Sequence, residues 1–229
     1  MRAVLVESDL VPGQVLGLAE EQAHHLNVVR ARVNEKILIL NGKGYSAIAE
    51  ILTISKKSSE IKVLEVKSEE RKHNISIAIG VPKKDAFEDI VKIAVEVGVQ
   101  SVYPLTSNFS QYEVEASDRL NRLIESAMIQ SNNLYWPEMF KQNTLESFLE
   151  TFTGELVYFC SRPQLNSKQS DVAKHNNIVI LIGPEGGFSE EEEAKIMAYK
   201  MVKLVHLPTP IMRAPTAVAT SVGYLLSLI

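Results

Sequence analysis

Five apolar residues in succession, Ile178–Ile182, run directly into Gly183-Pro184-Glu185-Gly186-Gly187 and then into Ser189 followed by four glutamates. No other stretch limits the fold as strongly. A wholly apolar pentad is the composition of a strand covered on both faces, as in a parallel sheet. The glycine-proline segment turns the backbone, and its glycines are read as removing every Cβ that would keep a ligand off the main chain. Ser189 with Glu192 three residues later forms a capping box, so a helix opens there. Strand, tight loop and helix in that order put the loop on the carboxyl edge of a sheet, where open α/β folds bind ligands.

Charge narrows the ligand. Glu185 and Glu190–Glu193 crowd a helix start that would otherwise attract phosphate, and no Lys or Arg lies between Lys174 and Lys195. A di- or triphosphate would meet carboxylates with no basic partner. A neutral or cationic ligand suits the loop better, and S-adenosylmethionine, with its sulfonium and amino group, is one. The same residues also suit a tight turn before a solvated helix, so this loop alone leaves both readings open.

Composition removes several classes. Apolar content of 45% and charged content of 23% are those of a water-soluble globular chain, and 229 residues allow one large domain or two small ones. Apolar runs fall far short of the ~20 residues that span a bilayer. The start, MRAVLVESDL, carries acids where a signal peptide has its apolar core. A single cysteine, Cys160, excludes an intramolecular disulfide and a Cys-rich zinc site, while His24 and His25 are adjacent and diverge on any regular element. A cytoplasmic protein without metal or membrane partner is expected. Net charge is −4 but uneven: residues 1–72 hold 11 Lys+Arg against 10 Asp+Glu, so +1, and residues 73–229 hold 13 against 18, so −5. Any polyanion contact belongs to the first part, through local clusters.

Two halves differ in period. Over residues 1–70, short β-prone runs (Val4–Val6, Lys36–Leu40, Ser46–Ile51, Ile61–Val66) are separated by turn signals at Pro12-Gly13, Asn41–Gly44 and Lys56–Ser59. Asn41-Gly42 marks a hairpin. With one helical interruption at Glu20–Ala31, this predicts a small closed or half-open β-barrel. From about Asn74, strands alternate with helices. Strands are expected at Ile75–Gly80, Val99–Leu105, Leu156–Cys160, Ile178–Ile182 and Leu204–Leu207. Helices are expected at Asp85–Val97, Asp118–Ser131, Ser189–Lys200 and Thr216–Ile229. That order predicts an α/β domain with a parallel sheet over residues 71–229.

A second loop, Leu207–Thr216 (LPTPIMRAPT), follows the last strand. Its prolines at 208, 210 and 215 fix φ and remove three donors, and Pro215 fits the first position of the final helix. A glycine loop and a proline loop on one sheet edge can clamp a small ligand by main-chain contacts, although a stiff connection without a ligand satisfies the same residues.

LIGPEGGFSEEE, followed by Leu207, a proline-containing loop, Ile211-Met212-Arg213 and a last apolar helix, resembles the RsmE family of SPOUT-class methyltransferases. The stretch His24–Ile51 is similar to that family's PUA-like barrel, and Lys83–Leu105 to the first strand-helix-strand of its catalytic domain. The resemblance implies a PUA-like, RNA-binding barrel over residues 1–70 and a SPOUT domain with a deep trefoil knot over residues 71–229. It implies a homodimer that binds S-adenosylmethionine and methylates N3 of a uridine in 16S rRNA of the small ribosomal subunit. Carried over residue by residue, the cofactor contacts are Leu181, Gly183, Glu185, Gly186, Leu207, Ile211, Met212 and Ala217, with Arg213 as the catalytic candidate. Within Asn108–Ser110 and Ile129–Asn133, and at Pro215, this chain is neutral where the family carries charge; Pro208 and Thr209 also replace the family's Gly-Pro. That motivates the alternative, a non-catalytic or retargeted SPOUT-type RNA-binding protein. A nucleotide-using α/β enzyme is disfavoured because G-x-G-x-x-G and a P-loop lysine are both missing.

Methylation at N3 requires the imide proton to leave and the resulting anion to stay in line with the methyl donor. Holding the reactants close supplies most of the rate. Arg213 suits the developing charge on the uracil carbonyls; its competing role is an ion pair with Glu185 or the acidic helix start. His206, between Val205 and Leu207, reads as a core or dimer-face histidine, and Tyr135-Trp136 as a packed pair rather than a base-stacking one. Arg30, Arg32 and Lys43 are the candidate RNA phosphate contacts of the barrel.

Overall fold

The computed structural model describes residues 2–55, 57–160 and 177–228. Two compact units make up the chain, Met1–Lys72 with Glu125–Trp136, and His73–Ile124 with Pro137–Ile229. Lys56 of the Lys56-Lys57 pair and Ile229 of the last helix lie outside the described residues.

In the first unit, strands β1 (Ala3–Leu5), β2 (Val15–Leu18), β3 (Lys36–Leu40), β4 (Tyr45–Ile54) and β5 (Ser59–Ser68) form one sheet in the order β1-β3-β4-β5-β2, with helix α1 (Glu20–Val28) between β2 and β3. On β5, Ile61 and Val63 are buried while Glu60 and Lys62 are exposed, the period of two that one-sided burial demands. They share a core with Ile37, Ile39, Ile51 and Leu26 of α1. Register shifts at Ile48/Ala49 and Ile51/Thr53 bend β4 against β5 and curl the sheet. Among the described residues no ladder joins β1 to β2, so the barrel is half-open.

Helix α1 stops three residues before the expected Ala31, because Arg30 takes a left-handed φ of 54° that no α-helix continues. Strand β2 was not expected from the sequence; its Val15 and Gly17 face outward, leaving no apolar alternation to read. The Asn41-Gly42 hairpin is present, with Leu40 opposite Ser46 and positive φ at Gly42 and Gly44. Tyr135 and Trp136 close over it. The Tyr135 hydroxyl donates to the Glu69 carbonyl at 2.7 Å, and the Trp136 N–H donates to the Gly42 carbonyl at 2.9 Å. Arg71 lies 4.4 Å from the Tyr135 ring centroid. The aromatic pair is packed, as its sequence context suggests.

The second unit contains β6 (Ile75–Gly80), α2 (Lys84–Glu96), β7 (Ser101–Thr106), the first half of α3 (Asp118–Ser131), β8 (Glu138–Met139), β9 (Asn143–Thr144), α4 (Leu145–Thr151), β10 (Glu155–Phe159), β11 (Ile178–Ile182), α5 (Glu190–Ala198), β12 (Val202–Val205) and α6 (Ala214–Leu226). The sheet order is β12-β10-β11-β6-β7-β8, with β9 also on β7, and every pairing is parallel. All five β11 residues are buried, as its apolar composition requires.

Helix α2 buries Phe87, Ile90, Val91, Ala94 and Val95 along one stripe and packs on α6. At about 1.5–3 kcal/mol for each large apolar side chain, that stripe outweighs any capping contribution. Gly98, at φ 76°, ends the helix as expected. After β11 the chain runs through α5 and returns as β12 on the far side of β10. Strand β12 ends at Val205 rather than Leu207, since its pairing runs from Leu156↔Val202 to Phe159↔Val205. Among the described residues, no helix is long and apolar enough to cross a membrane.

Candidate active site

Strand β11 delivers the chain to the glycine loop. Gly187 N–H donates to the Pro184 carbonyl at 2.9 Å, closing a tight turn, and Gly187 adopts φ 73°. The other glycines are fixed by crowding from protein atoms. A Cβ at Gly183 would sit 3.1 Å from the Gly187 main chain, and one at Gly186 would sit 2.9 Å from Phe109 Cβ. This corrects the reading that every missing Cβ makes room for a ligand; only Gly187 faces open space. Gly80 at the end of β6 belongs to the same packing. A Cβ there would lie 2.4 Å from Pro184 Cδ, so the loop can seat only over a glycine.

The capping box exists as read from the sequence. Ser189 N–H donates to Glu192 Oε2 at 2.9 Å, and Glu192 N–H donates to Ser189 Oγ at 3.3 Å. Asn108, after β7, adds two bonds: its N–H donates to Glu192 Oε1 at 2.8 Å and its side-chain amide to Ser189 Oγ at 2.9 Å. The start of α5 is thereby tied to the neighbouring loop.

The proline loop begins at His206. Thr209 N–H donates to the Leu207 carbonyl at 2.7 Å, while Pro208, Thr209, Pro210 and Ile211 are exposed, Ile211 to 84%. Arg213 caps α6, its carbonyl accepting from Ala217 N–H at 2.9 Å, and Pro215 occupies the second helical position rather than the first.

Between the two loops lies a cleft of about 490 Å³, within the roughly 300–1,000 Å³ of small-molecule sites. Gly183, Glu185, Gly186, Leu207, Ile211, Met212 and Ala217, all named from the sequence, line it together. Leu181 does not; its side chain is buried in the core with Phe188 and Ile196. Arg213 is exposed beside the cleft, makes no ion pair among the described residues and is not in the wall. The competing ion pair with Glu185 is therefore not formed.

The wall also takes in residues that the sequence did not assign to the site, Tyr158, Glu193 and His206 among them. Tyr158 donates from its hydroxyl to Glu193 Oε1 at 3.1 Å, which turns one glutamate of the acidic run inward. His206 is half-buried in the wall, with Nδ1 3.0 Å from the Cys160 carbonyl, so of the core and dimer-face readings the core one does not hold. Position within a run of four glutamates carries no signal for which one turns toward the cleft. The wall thus holds two carboxylates, Glu185 and Glu193, and neither Lys nor Arg. In a partly enclosed site of that composition a cation is favoured and a phosphate repelled.

Residues 69–226 match the RNA methyltransferase domain family and residues 18–64 match the RNA methyltransferase PUA domain family. The chain belongs to the RNA methyltransferase family. Among its relatives, the protein named ribosomal RNA small subunit methyltransferase E of Rickettsia conorii is 26% identical over 228 residues, covering 96% of this chain and 93% of its own. The Aquifex aeolicus protein of that name is 26% identical over 224 residues, covering 94% and 95%. A crystal structure of ribosomal RNA small subunit methyltransferase E from Neisseria gonorrhoeae bound to S-adenosyl methionine superposes with a TM-score of 0.86 at 25% identity, over 100% of this chain and 98% of that one. The RsmE resemblance drawn from the glycine and proline loops therefore holds along the whole RNA methyltransferase chain.

The candidate phosphate contacts of the barrel lie at the two ends of β3. Arg30 and Arg32 are exposed just before β3, and Lys43 is exposed in the hairpin just after it. Five residues of strand, about 17 Å, intervene.

Proposed function

We propose that this RNA methyltransferase uses S-adenosylmethionine to methylate N3 of a uridine in 16S rRNA of the small ribosomal subunit. The observation that carries the reading is the cleft between two main-chain loops, lined by Glu185 and Glu193 without a cation. Its residues fit a ligand that is positively charged and largely uncharged elsewhere. Bound there, S-adenosylmethionine supplies a methyl group on a sulfonium, a leaving group that departs as a neutral thioether.

The chain's own part is to bind, orient and shield. Glu185 and Glu193 favour the sulfonium and amino charges, and the main chain of Gly183–Gly187 and Leu207–Met212 holds the adenosyl portion. Leu181 contributes from the core beneath. Arg213, exposed at the start of α6, stabilises the negative charge that spreads over the uracil carbonyls once the N3 proton has passed to solvent water. The barrel of residues 1–70 holds the rRNA through Arg30, Arg32 and Lys43, and residues 71–229 carry out the transfer. A homodimer and a knotted closure of this second domain belong to the same proposal. The return of β12 beyond β10 and the seating of α6 on α2 and β11 support the knot.

The deciding experiment is transfer of labelled methyl from S-adenosylmethionine to small ribosomal subunits lacking this mark, with the product nucleoside identified. N3-methyluridine is expected. Cofactor binding without transfer to any RNA would leave the non-catalytic alternative standing. For the barrel, replacing Arg30 and Arg32 with alanine lowers the slope of log affinity against log salt by about 2, since each lost phosphate contact accounts for about one. An unchanged slope removes both residues from the interface.

A further inference from the structure

Beside the glycine loop, outside the cleft wall, stands an aromatic residue that the cofactor site does not use. Phe109 is 47% exposed at the tip of the segment after β7, and its Cβ, Cγ and Cδ2 lie where a side chain at Gly186 would go. The segment that carries it is held rigidly. Ser107 N–H donates to Ser110 Oγ at 2.9 Å, Ser110 N–H to the Ser107 carbonyl at 3.0 Å, and Ser110 Oγ to the Leu105 carbonyl at 3.2 Å. The two Asn108 bonds to Glu192 and Ser189 fasten it to α5, and Gln111 N–H donates to the Val81 carbonyl at 3.2 Å. Exposure alone says little, since single exposed apolar side chains are common; what sets Phe109 apart is a half-exposed π face on a fastened loop, directly against the loop that presents the methyl donor.

We propose that Phe109 is a substrate-positioning residue on which the target nucleobase, or the base stacked next to it, rests during methyl transfer. The proposal rests on the methyltransferase reading above. Every nucleobase has a π face, so an aromatic platform holds a base without selecting among the four; choice of uridine is then left to groups that meet the imide edge. Pre-organisation matters because a base drawn out of its stack loses contacts that a ready platform restores. Among the hydrogen bonds of the segment, none fixes Phe109 itself. They fix its neighbours, and the atom nearest Gly186 is Phe109 Cβ, which every replacement keeps, so the ring can be exchanged without dismantling the loop.

The test uses the full chain with small ribosomal subunits lacking the mark, in wild type and in Phe109→Ala, Phe109→Leu, Phe109→Tyr and Phe109→Trp. Stacking of about 1–3 kcal/mol per base converts to a rise of roughly 5- to 150-fold in KM for the subunit. Alanine and leucine variants show that rise, tyrosine and tryptophan variants stay near wild type, and the Kd for S-adenosylmethionine is unchanged in all. Rescue by leucine, a parallel loss of cofactor affinity, or a shift from dimer to monomer in the alanine variant would assign Phe109 to packing or to a second copy of the chain and overturn the proposal. In a second arm, 16S rRNA bearing 5-iodouridine is photo-cross-linked to the wild-type protein. Attachment at Phe109 is expected, and attachment only elsewhere overturns the platform even if methylation proceeds. Failure of the wild type to methylate any RNA, by contrast, would count against the function, while the cross-link still reports on Phe109.

Discussion

The two loops that wall the cleft are both stiff, but for opposite reasons. The glycine loop is stiff because its surroundings leave no room. Gly183 and Gly186 are pressed against protein atoms, Pro184 fills the space over Gly80, and the capping box with Asn108 anchors its far end. The proline loop is stiff because of its own covalent rings. It is mostly exposed and keeps one short internal bond, Thr209 N–H to the Leu207 carbonyl. Crowding makes a loop part of the fold, so damage there spreads. Ring closure makes a loop rigid without burying it, so its side chains stay available for chemistry.

That difference is open to attack by substitution, and Arg213→Ala gives the largest expected effect. In the role proposed above, loss of Arg213 removes one preorganised charge partner of the transition state, and kcat is expected to fall about 100-fold. Because Arg213 is exposed and unpaired among the described residues, melting temperature and cofactor Kd stay at their wild-type values. Equal losses in kcat and cofactor affinity would remove Arg213 from the chemistry.

Gly80→Ala probes the opposite kind of stiffness. Its new methyl meets Pro184 Cδ at 2.4 Å, and relieving that overlap costs about 2 kcal/mol in urea denaturation, together with weakened cofactor binding. A variant with wild-type stability would mean that the glycine loop is not held by crowding. Ser189→Ala removes the capping hydroxyl of α5 and the acceptor of Asn108, at a cost of about 1 kcal/mol on the same measurement.

The smallest change in stability is expected from Pro210→Ala. Freeing one exposed ring costs about 0.4–1 kcal/mol, chiefly through the unfolded chain. Cofactor affinity, measured by calorimetry, nevertheless falls, because a looser loop must be ordered on binding. If Pro210→Ala destabilises as much as Gly80→Ala, the contrast between the two loops collapses.

Much of the second unit was legible in the residues. The apolar pentad gave β11 its bounds, Asp118–Ser131 gave α3, and Ser189 with Glu192 gave the start of α5. Each is a local matter: apolar period, turn chemistry and capping act within a few residues. The short pieces β8, β9 and α4 were not legible, because two-residue pairings and a seven-residue helix are too brief to show a period. In the first unit β2 escaped for a related reason, an edge strand with two outward positions and a glycine.

By itself, the sequence determined a β-rich first part, a parallel α/β second part, two unlike loops on one sheet edge, and an acidic surrounding that disfavours phosphate. Only the tertiary structure decided which atoms those loops meet. The glycines at 183 and 186 turned out to face protein, Glu193 rather than its neighbours turned inward to Tyr158, and His206 came into the wall while Leu181 stayed in the core. The physical reason is separation along the chain. Gly80 and Pro184, Asn108 and Ser189, and Tyr158 and Glu193 meet because β6, β7, β10 and β11 belong to one sheet. No local pattern encodes the neighbour that such a sheet supplies.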